Sequence, residues 1–182
     1  MIEVRWHGRG GQGAVTSVEL LAQAAIAAGK YAQGFPSFGP ERRGAPVAAF
    51  SRIDDKKIKV RSGIYKPDVV IVLDSSLIGL VNVTDGLKPD GILIINTART
   101  PQELKKELNF SGTVATVDGT GIARHELGVP IANTTMIGAL LKMSGFMRLE
   151  AMKESVEHRF GRIAHKNLTA MKRAYEETKI SN

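Results

Sequence analysis

Short apolar runs and helical spacings alternate along the chain, which predicts a fold in which strands and helices take turns. Continuous apolar runs are typical of parallel strands buried on both faces. They predict strands over residues 68–74, 91–96 and 113–118, after a first strand over 2–6. Apolar residues at helical spacing predict helices over 14–28, 76–81 and 101–108, with Gly29 ending the first. This order of elements indicates a mostly parallel sheet covered by helices.

The segment between the first helix and the run at residue 68 follows a different pattern. Residues 30–33 predict a short second strand. Residues 34–46 contain three glycines and three prolines, which predicts a long loop without regular structure. Residues 47–53 and 58–61 flank the polar sequence DDKK and predict a β-hairpin added to the sheet. Because long ordered loops are often functional, the loop over 34–46 is a first candidate for a site.

The last third of the chain is predicted to be helical. Residues 133–144 are mostly apolar and predict a helix packed in the core, and an extension over about 148–182 predicts two amphipathic helices. We find no linker, internal repeat or low-complexity tract in the sequence. Residues 1–182 are therefore predicted to form a single α/β domain. We expect a Rossmann-like three-layer sandwich with a mostly parallel sheet, an added β-hairpin and C-terminal helices.

Composition narrows the classes of function. The sequence has no cysteine, which excludes disulfides and any iron–sulfur cluster held by this chain's own thiolates. Its four histidines form no metal-ligand pattern, so we expect no structural metal. No apolar run approaches the ~20 residues of a membrane span, and the first residues lack the apolar core of a signal peptide. We therefore expect a cytoplasmic protein with no membrane partner.

The chain is basic, with 25 Lys and Arg against 18 Asp and Glu and a formal net charge of +7. Such a charge suits nucleic acid, a phosphorylated ligand or an acidic protein. Much of the excess is arginine near glycine, which favours a phosphate site. The aromatic platform of single-strand binders is missing, so nucleic acid is not an expected partner. We also find no catalytic set, because no Ser-His-Asp order and no thiol nucleophile is present.

The sequence GRGGQG joins the first strand to the first helix. It places Gly8, Gly10 and Gly13 in the G-x-G-x-x-G spacing of dinucleotide-binding turns. Glycines allow a tight turn close to a ligand, and the start of the helix offers free N–H groups to an anion. NAD-binding proteins carry an acid about 20 residues further on, whereas the sequence YAQGF here has none. The pattern leaves open a tight turn without a ligand, an NADP site, or another anionic ligand.

A second loop rich in glycine and arginine, SFGPERRG, covers residues 37–44. Arg42 and Arg43 are adjacent, and each can hold a phosphate or a carboxylate through two parallel hydrogen bonds. Phe38 is expected to cover a surface of this domain or of another chain. The alternative is a solvated loop whose charge Glu41 partly neutralises.

Three polar residues stand at the ends of predicted strands. Asp74 and Asn96 lie at carboxyl ends, where α/β sheets place their sites, but we favour a role as helix caps for both. His7 precedes the glycine loop, and a lone histidine at a strand end is more often simply hydrogen-bonded than an acid–base group.

The stretch from His7 to Asp54 contains both loops and resembles the N-terminal signature of one family. This family is the gamma subunit of pyruvate:ferredoxin oxidoreductase (pyruvate synthase) and related 2-oxoacid:acceptor oxidoreductases. Residues 68–74, 91–96 and 131–134 also resemble it, so that the resemblance covers nearly the whole chain. Two such loops at this separation are far more specific than G-x-G-x-x-G alone.

The resemblance implies a subunit, not catalytic alone, of an enzyme that converts pyruvate and coenzyme A to acetyl-CoA, CO2 and reduced ferredoxin. It implies that thiamine diphosphate and iron–sulfur clusters reside on partner subunits of the alpha, beta and delta types, and that this chain binds no redox cofactor. The loop sequence favours pyruvate over longer 2-oxoacids. The residues expected to face coenzyme A or the thiamine-bearing partner are Arg9, Gly10, Gly11, Gln12, Gly13, Phe38, Gly39, Glu41, Arg42, Arg43 and Gly44. A free-standing NAD(P)-binding oxidoreductase is the alternative.

Overall fold

One seven-stranded sheet organises the computed structural model, which describes residues 1–37 and 43–181. The strands lie in the order β2-β3-β1-β4-β5-β6-β7. Their bounds are β1 Ile2–Arg9, β2 Tyr31–Pro36, β3 Pro46–Asp54, β4 Val69–Val72, β5 Ile92–Asn96, β6 Thr113–Val117 and β7 Lys179–Ile180. The four strands β1, β4, β5 and β6 are parallel, whereas β2, β3 and β7 join the two edges in antiparallel pairs.

Helices cover the sheet on both faces. They are α1 Ala14–Ala27, α2 Pro101–Glu107, α3 Gly119–Leu127, α4 Asn133–Ser144, α5 Lys153–Phe160 and α6 Ala164–Glu177. Because side chains alternate along a strand, β4 sends Val69 and Ile71 into the core shared with α1, α4 and α6. Val70 and Val72 enter the second core, which α2 covers with Leu104. The predicted three-layer α/β architecture is therefore confirmed.

Local patterns predicted most elements closely. Helix α4 has the predicted bounds, and α1 ends one residue early, before Gly29 at φ +80°. The helix predicted over 76–81 is instead a 3₁₀ turn, Ser75–Leu77, followed by further turns. In those turns Asn82 Oδ1 accepts hydrogen bonds from Thr84 N at 3.2 Å and from Thr84 Oγ1 at 2.9 Å. Such side-chain bonds to nearby backbone compete with helix formation. Strand β7 was not predicted because it has only two residues.

The predicted β-hairpin was wrong in its pairing. Strand β3 pairs with β2, and residues 58–61 form no strand. Pairing with β2 brings Phe35 onto Phe50 with ring centroids 5.4 Å apart, a contact that residues 58–61 do not offer. Both ends of the loop predicted over 34–46 belong to strands, since β2 continues to Pro36 and β3 begins at Pro46. Gly34, taken as a loop signal, is a packing residue, because a Cβ there would lie 2.6 Å from the Val18 side chain of α1.

The contact between α4 and α6 generates a test of the fold. A Cβ on Gly138 would lie 1.9 Å from the carbonyl oxygen of Met171 in α6. We expect Gly138→Ala to force the helices apart and to lower the free energy of unfolding by about 1–3 kcal/mol, measured by chemical denaturation. Gly79→Ala is the matched control, because no atom of the described residues lies within 4 Å of its Cβ position. Equal stability of the two variants would contradict close packing at Gly138.

Candidate functional site

A tight turn brings β1 into α1 at the carboxyl edge of the parallel strands. Gly11 and Gly13 have φ of +94° and +79°, a backbone region that favours glycine. A Cβ on Gly13 would lie 2.4 Å from Asn133 Nδ2, and that amide donates to Gly13 O at 3.3 Å. The glycine therefore allows the start of α1 to meet the start of α4.

Arg9 joins three segments around this turn. Its Nε donates to Asp74 Oδ2 at 3.1 Å, its Nη1 to Gly44 O at 3.0 Å and its Nη2 to Ser76 Oγ at 2.8 Å. Gln12 completes the arrangement, because its Oε1 accepts from Arg9 N at 2.8 Å and its Nε2 donates to Asp74 Oδ2 at 2.9 Å. Each nitrogen of the Arg9 guanidinium thus already binds protein, and its expected contact with a ligand stays a prediction.

The backbone also joins the two loops that the sequence singled out. Gly10 N donates to Ala45 O at 2.9 Å, and Gly44 N donates to Gly10 O at 3.0 Å. A parallel bridge between Gly10 and Arg43 results. The structure therefore brings together seven of the predicted site residues, namely Arg9, Gly10, Gly11, Gln12, Gly13, Arg43 and Gly44. The other four, Phe38, Gly39, Glu41 and Arg42, lie outside the described residues.

Asp74 is held as a carboxylate by its surroundings. Partial burial alone would raise its pKa, but hydrogen bonds from Ser76 and Gln12 and the charge of Arg9 outweigh burial and lower the pKa below its ordinary value. The predicted capping role is present, since Oδ1 accepts from Ser76 N at 3.0 Å at the start of the 3₁₀ turn. The pairing with Arg9 was not predicted, because a strand-end aspartate gives no signal of a distant partner.

Asn96 links the carboxyl end of β4 to the start of α3. Its Nδ2 donates to Leu73 O and to Thr120 Oγ1, both at 2.8 Å, and its Oδ1 accepts from Thr120 N at 3.1 Å. Asn96 therefore binds one N–H of the first turn of α3, but the N-cap of that helix is Asp118, whose Oδ1 accepts from Gly121 N at 2.8 Å. Helix α2 is capped instead by Thr100 in a capping box with Glu103.

A cleft of about 300 Å³ opens beside this network. Its lining residues lie at the starts of helices or at strand ends and comprise Gly11, Gln12, Leu73, Asp74, Ser75, Asn96, Thr120, Pro130, Ile131, Ala132 and Asn133. Helices α1 and α4 begin here with no side-chain cap from residues 1–37 or 43–181, so their first N–H groups and positive dipole ends favour an anion. Sequence reasoning missed residues 130–133 as site residues. The absence of a capping side chain at position 132, just before an apolar helix, was the available signal.

His7 is poorly suited to acid–base chemistry at neutral pH. Burial, with a further contribution from the Arg5 charge, lowers its pKa to about 4. Its Nε2 is buried and has no hydrogen-bond partner among residues 1–37 and 43–181, whereas a hydrogen-bonded histidine was expected. The imidazole is therefore neutral at pH 7.

The described residues offer neither a metal site nor a membrane span. No group of three or more His, Asp or Glu there could hold a metal ion. No helix among these residues is long and apolar enough to cross a membrane.

Comparison with known proteins gives matches along nearly the whole chain. A family model described as pyruvate ferredoxin/flavodoxin oxidoreductase matches residues 3–177. The chain is 51% identical over 182 residues to the pyruvate/ketoisovalerate oxidoreductases common subunit gamma of Thermococcus kodakarensis, covering 99% of this chain and 98% of that protein. It is 51% identical over 178 residues to the pyruvate synthase subunit PorC of Methanocaldococcus jannaschii, covering 97% of each.

A solved structure supports the same relationship. The crystal structure of pyruvate oxidoreductase subunit PORC (EC 1.2.7.1) from Thermotoga maritima matches with a TM-score of 0.89 and 41% identity. The match covers 100% of this chain and 98% of that one. The sheet and its helices are therefore similar over their full extent.

The role of Arg9 can be tested by removing its side chain. We expect Arg9→Ala to lower the free energy of unfolding by about 1–3 kcal/mol, because the partly buried Asp74 carboxylate and the Gly44 carbonyl lose a charged donor. Hydrogen exchange at Gly10 and Gly44 should become faster. The control is Arg99→Ala, which removes an ion pair with Glu107 whose side chains are 49% and 46% exposed. We expect that loss to stay below about 1 kcal/mol, and equal losses would contradict a joining role for Arg9.

The state of His7 predicts a dependence of stability on pH. Its folded pKa, about 4, lies below its ordinary value of 6.5, so the unfolded chain takes up the proton first as the pH falls. The contribution of neutral His7 to stability is thus fully present above about pH 6.5 and is lost as the pH falls toward about 4. Denaturation of the wild type and of His7→Gln across this range should show a difference that changes in this direction. Parallel pH profiles of the two proteins would contradict the lowered pKa.

Proposed function

This chain belongs to the pyruvate ferredoxin/flavodoxin oxidoreductase family, and we propose that its two joined loops form the surface that meets coenzyme A in the assembled enzyme. The chain is a gamma-type subunit of a pyruvate:ferredoxin oxidoreductase, since its relatives match it over their full length. That enzyme converts pyruvate and coenzyme A to acetyl-CoA, CO2 and reduced ferredoxin. The chain therefore acts as one part of a multi-subunit enzyme.

The observation that carries the proposal is the joining of the two loops beside the cleft. Arg9, Gly10 and Gln12 are bonded to Gly44 or to Asp74, and the bridge from Gly10 holds Arg43 against the turn. The starts of α1 and α4 add uncapped N–H groups on one wall of the cleft. A cation on a fixed backbone next to helix N-termini is an arrangement that binds phosphate.

Coenzyme A fits these residues by its charge. Its pyrophosphate and ribose phosphate are anions suited to the helix starts and to Arg43. Coenzyme A supplies the thiol that accepts the acetyl group. The chain's own part is to bind and orient, because the described lining of the cleft offers amide and hydroxyl groups from Gln12, Asn133 and Thr120, while its carboxylate, Asp74, has a lowered pKa and is already hydrogen-bonded.

We propose that the other cofactors reside on other subunits. The sequence has no cysteine to hold an iron–sulfur cluster, and it contains no complete thiamine diphosphate motif. Subunits of the alpha, beta and delta types would hold these groups, and ferredoxin would receive electrons through them. A cytoplasmic location belongs to the same proposal.

The topology disfavours the NAD(P) alternative. In a dinucleotide-binding fold the acid that binds the ribose follows a second strand parallel to the first. Here β2 does not touch β1, because β3 lies between them and runs antiparallel to both. The end of β2 at Pro36 has no acidic neighbour in the sequence QGFPSF. The position that selects NAD is thus absent together with its strand.

The proposal is tested in the assembled enzyme with the double variant Arg42→Ala, Arg43→Ala. Loss of two charged donors should raise the apparent KM for coenzyme A by about tenfold or more while the KM for pyruvate stays unchanged. Arg159→Ala, Arg162→Ala is the control, since both residues are exposed on the helical face far in sequence from the loops. An unchanged KM for coenzyme A in an intact, active complex would refute the assignment of these loops.

A further inference from the structure

Within residues 1–37 and 43–181, one half of a sheet face has no helix over it. The second core, with α2, covers β4, β5 and β6 on this face. Strands β2 and β3 present Gln33, Phe35, Phe50 and Arg52 on the same side, where a groove of about 630 Å³ opens. The groove, here called the β2–β3 groove, is lined by Gln33, Gly34, Phe35, Pro36, Ser37, Phe50, Arg52, Arg61 and Gly63.

The floor of the β2–β3 groove contains an aromatic pair that is fixed in place. Phe35 stacks on Phe50 with ring centroids 5.4 Å apart, and the Arg52 guanidinium lies 5.5 Å from the centroid of Phe35. Arg52 is buried and already paired, because its Nε donates to Glu3 Oε1 at 2.6 Å and its Nη2 to Gly63 O at 3.0 Å. The aromatic pair is thus a preformed apolar surface, and any free positive charge at the groove comes from elsewhere.

That charge comes from the segment over residues 55–66, which forms the rim. Its Val60 carbonyl accepts from Gln33 Nε2 at 3.2 Å, which ties the segment to β2. It carries five exposed cations, Lys56, Lys57, Lys59, Arg61 and Lys66. Within residues 1–37 and 43–181 none of the five has an ion-pair partner, and the acid of the segment, Asp55, is bound to Lys30.

The same segment exposes apolar surface. Tyr65 is 77% exposed and Val60 is 41% exposed, although both lie in a segment whose backbone carbonyls accept hydrogen bonds from the Gln33 and Arg52 side chains of β2 and β3. Two lysines on the helical face pair with acids one turn away, Lys153 with Glu157 and Lys172 with Glu176, and among the described residues no aromatic side chain of that face is as exposed as Tyr65 is here. Unpaired cations beside exposed aromatic and aliphatic groups are typical of a surface that another chain covers.

We infer that the β2–β3 groove and the 55–66 segment together form a docking surface for an acidic segment of another subunit of the oxidoreductase. An apolar side chain of that segment enters the groove over Phe35 and Phe50, and its carboxylates meet Lys59, Arg61 and Lys66. The inference rests on the proposed function, in which the chain works inside a multi-subunit enzyme. A second copy of this chain would bring the same five cations against each other, and a small anion would leave Tyr65 and Val60 uncovered.

The test uses the reconstituted complex and the triple variant Lys59→Glu, Arg61→Glu, Lys66→Glu. Titration calorimetry against the purified remaining subunits should show affinity about tenfold or more weaker than wild type, with a shallower dependence on salt. The matched control is Arg159→Glu, Arg162→Glu, Lys166→Glu on the α5–α6 surface, which makes the same change of charge and should bind as wild type does. Thermal melting establishes that both variants are folded.

Tyr65→Ala isolates the apolar contribution. This variant should weaken association while the salt dependence stays that of the wild type, because no charge is altered. Unchanged affinity of the triple variant, or an equal loss in the control, would overturn the docking surface. ADP, titrated into the wild type and the triple variant, serves as a small-anion probe. If the triple variant lost ADP binding while its affinity for the other subunits stayed unchanged, the groove would be assigned to a small anion and the docking surface would be overturned too.

The two proposals fail in different ways. If the wild-type chain joins the other subunits but the triple variant joins them equally well, only the docking surface is wrong. If the wild-type chain does not join them at all, the proposed function fails and the docking surface fails with it.

Discussion

The pairing of Arg9 with Asp74 is the interaction on which the candidate site depends. Arg9 is the last residue of β1, and Asp74 follows shortly after the end of β4. Each side chain is about one quarter exposed. A guanidinium has a planar set of donors, so one side chain can hold a carboxylate, a carbonyl and a hydroxyl at once. Arg9 does this for Asp74, Gly44 and Ser76, and so fixes three segments that are distant in the sequence. A lysine could not replace this geometry with its single charged group.

The antiparallel pair β2–β3 determines which segment of the chain lies beside the glycine turn. It occupies the side of β1 where a dinucleotide-binding fold would place two further parallel strands. The chain before β3 therefore returns to the carboxyl edge of β1, where residues 43–45 bond to Gly10. A segment with arginine thus lies where a ribose-binding acid would otherwise be found. Among the described residues, the same replacement leaves the β2–β3 half of one sheet face without a helix.

The sequence was sufficient to predict the helices and strands, but it was not sufficient to predict which distant segments they contact. Buried runs such as Val69–Val72 and helices such as Asn133–Ser144 have local periodicity, so they could be predicted within a residue or two. The partner of β3 could not, because two candidate segments flank it and only the stacking of Phe35 on Phe50 decides between them. The candidate site shows the same difference between local and long-range features. Its glycine and arginine loops were visible as motifs, whereas the bond from Arg9 to Asp74 spans 65 positions and has no local signal.

The charges around the cleft explain why a carboxylate can line a site proposed for an anion. Asp74 would repel a phosphate if its charge were free, but Arg9, Gln12 and Ser76 already bind its two oxygens. The starts of α1 and α4 lie on another wall, and each contributes a partial positive charge of about half a unit with no side-chain cap from the described residues. The field in the cleft is therefore positive towards the helices and close to neutral towards Asp74. An elongated ligand with phosphates at one end and an uncharged arm at the other would lie along this gradient, which is the charge distribution of coenzyme A.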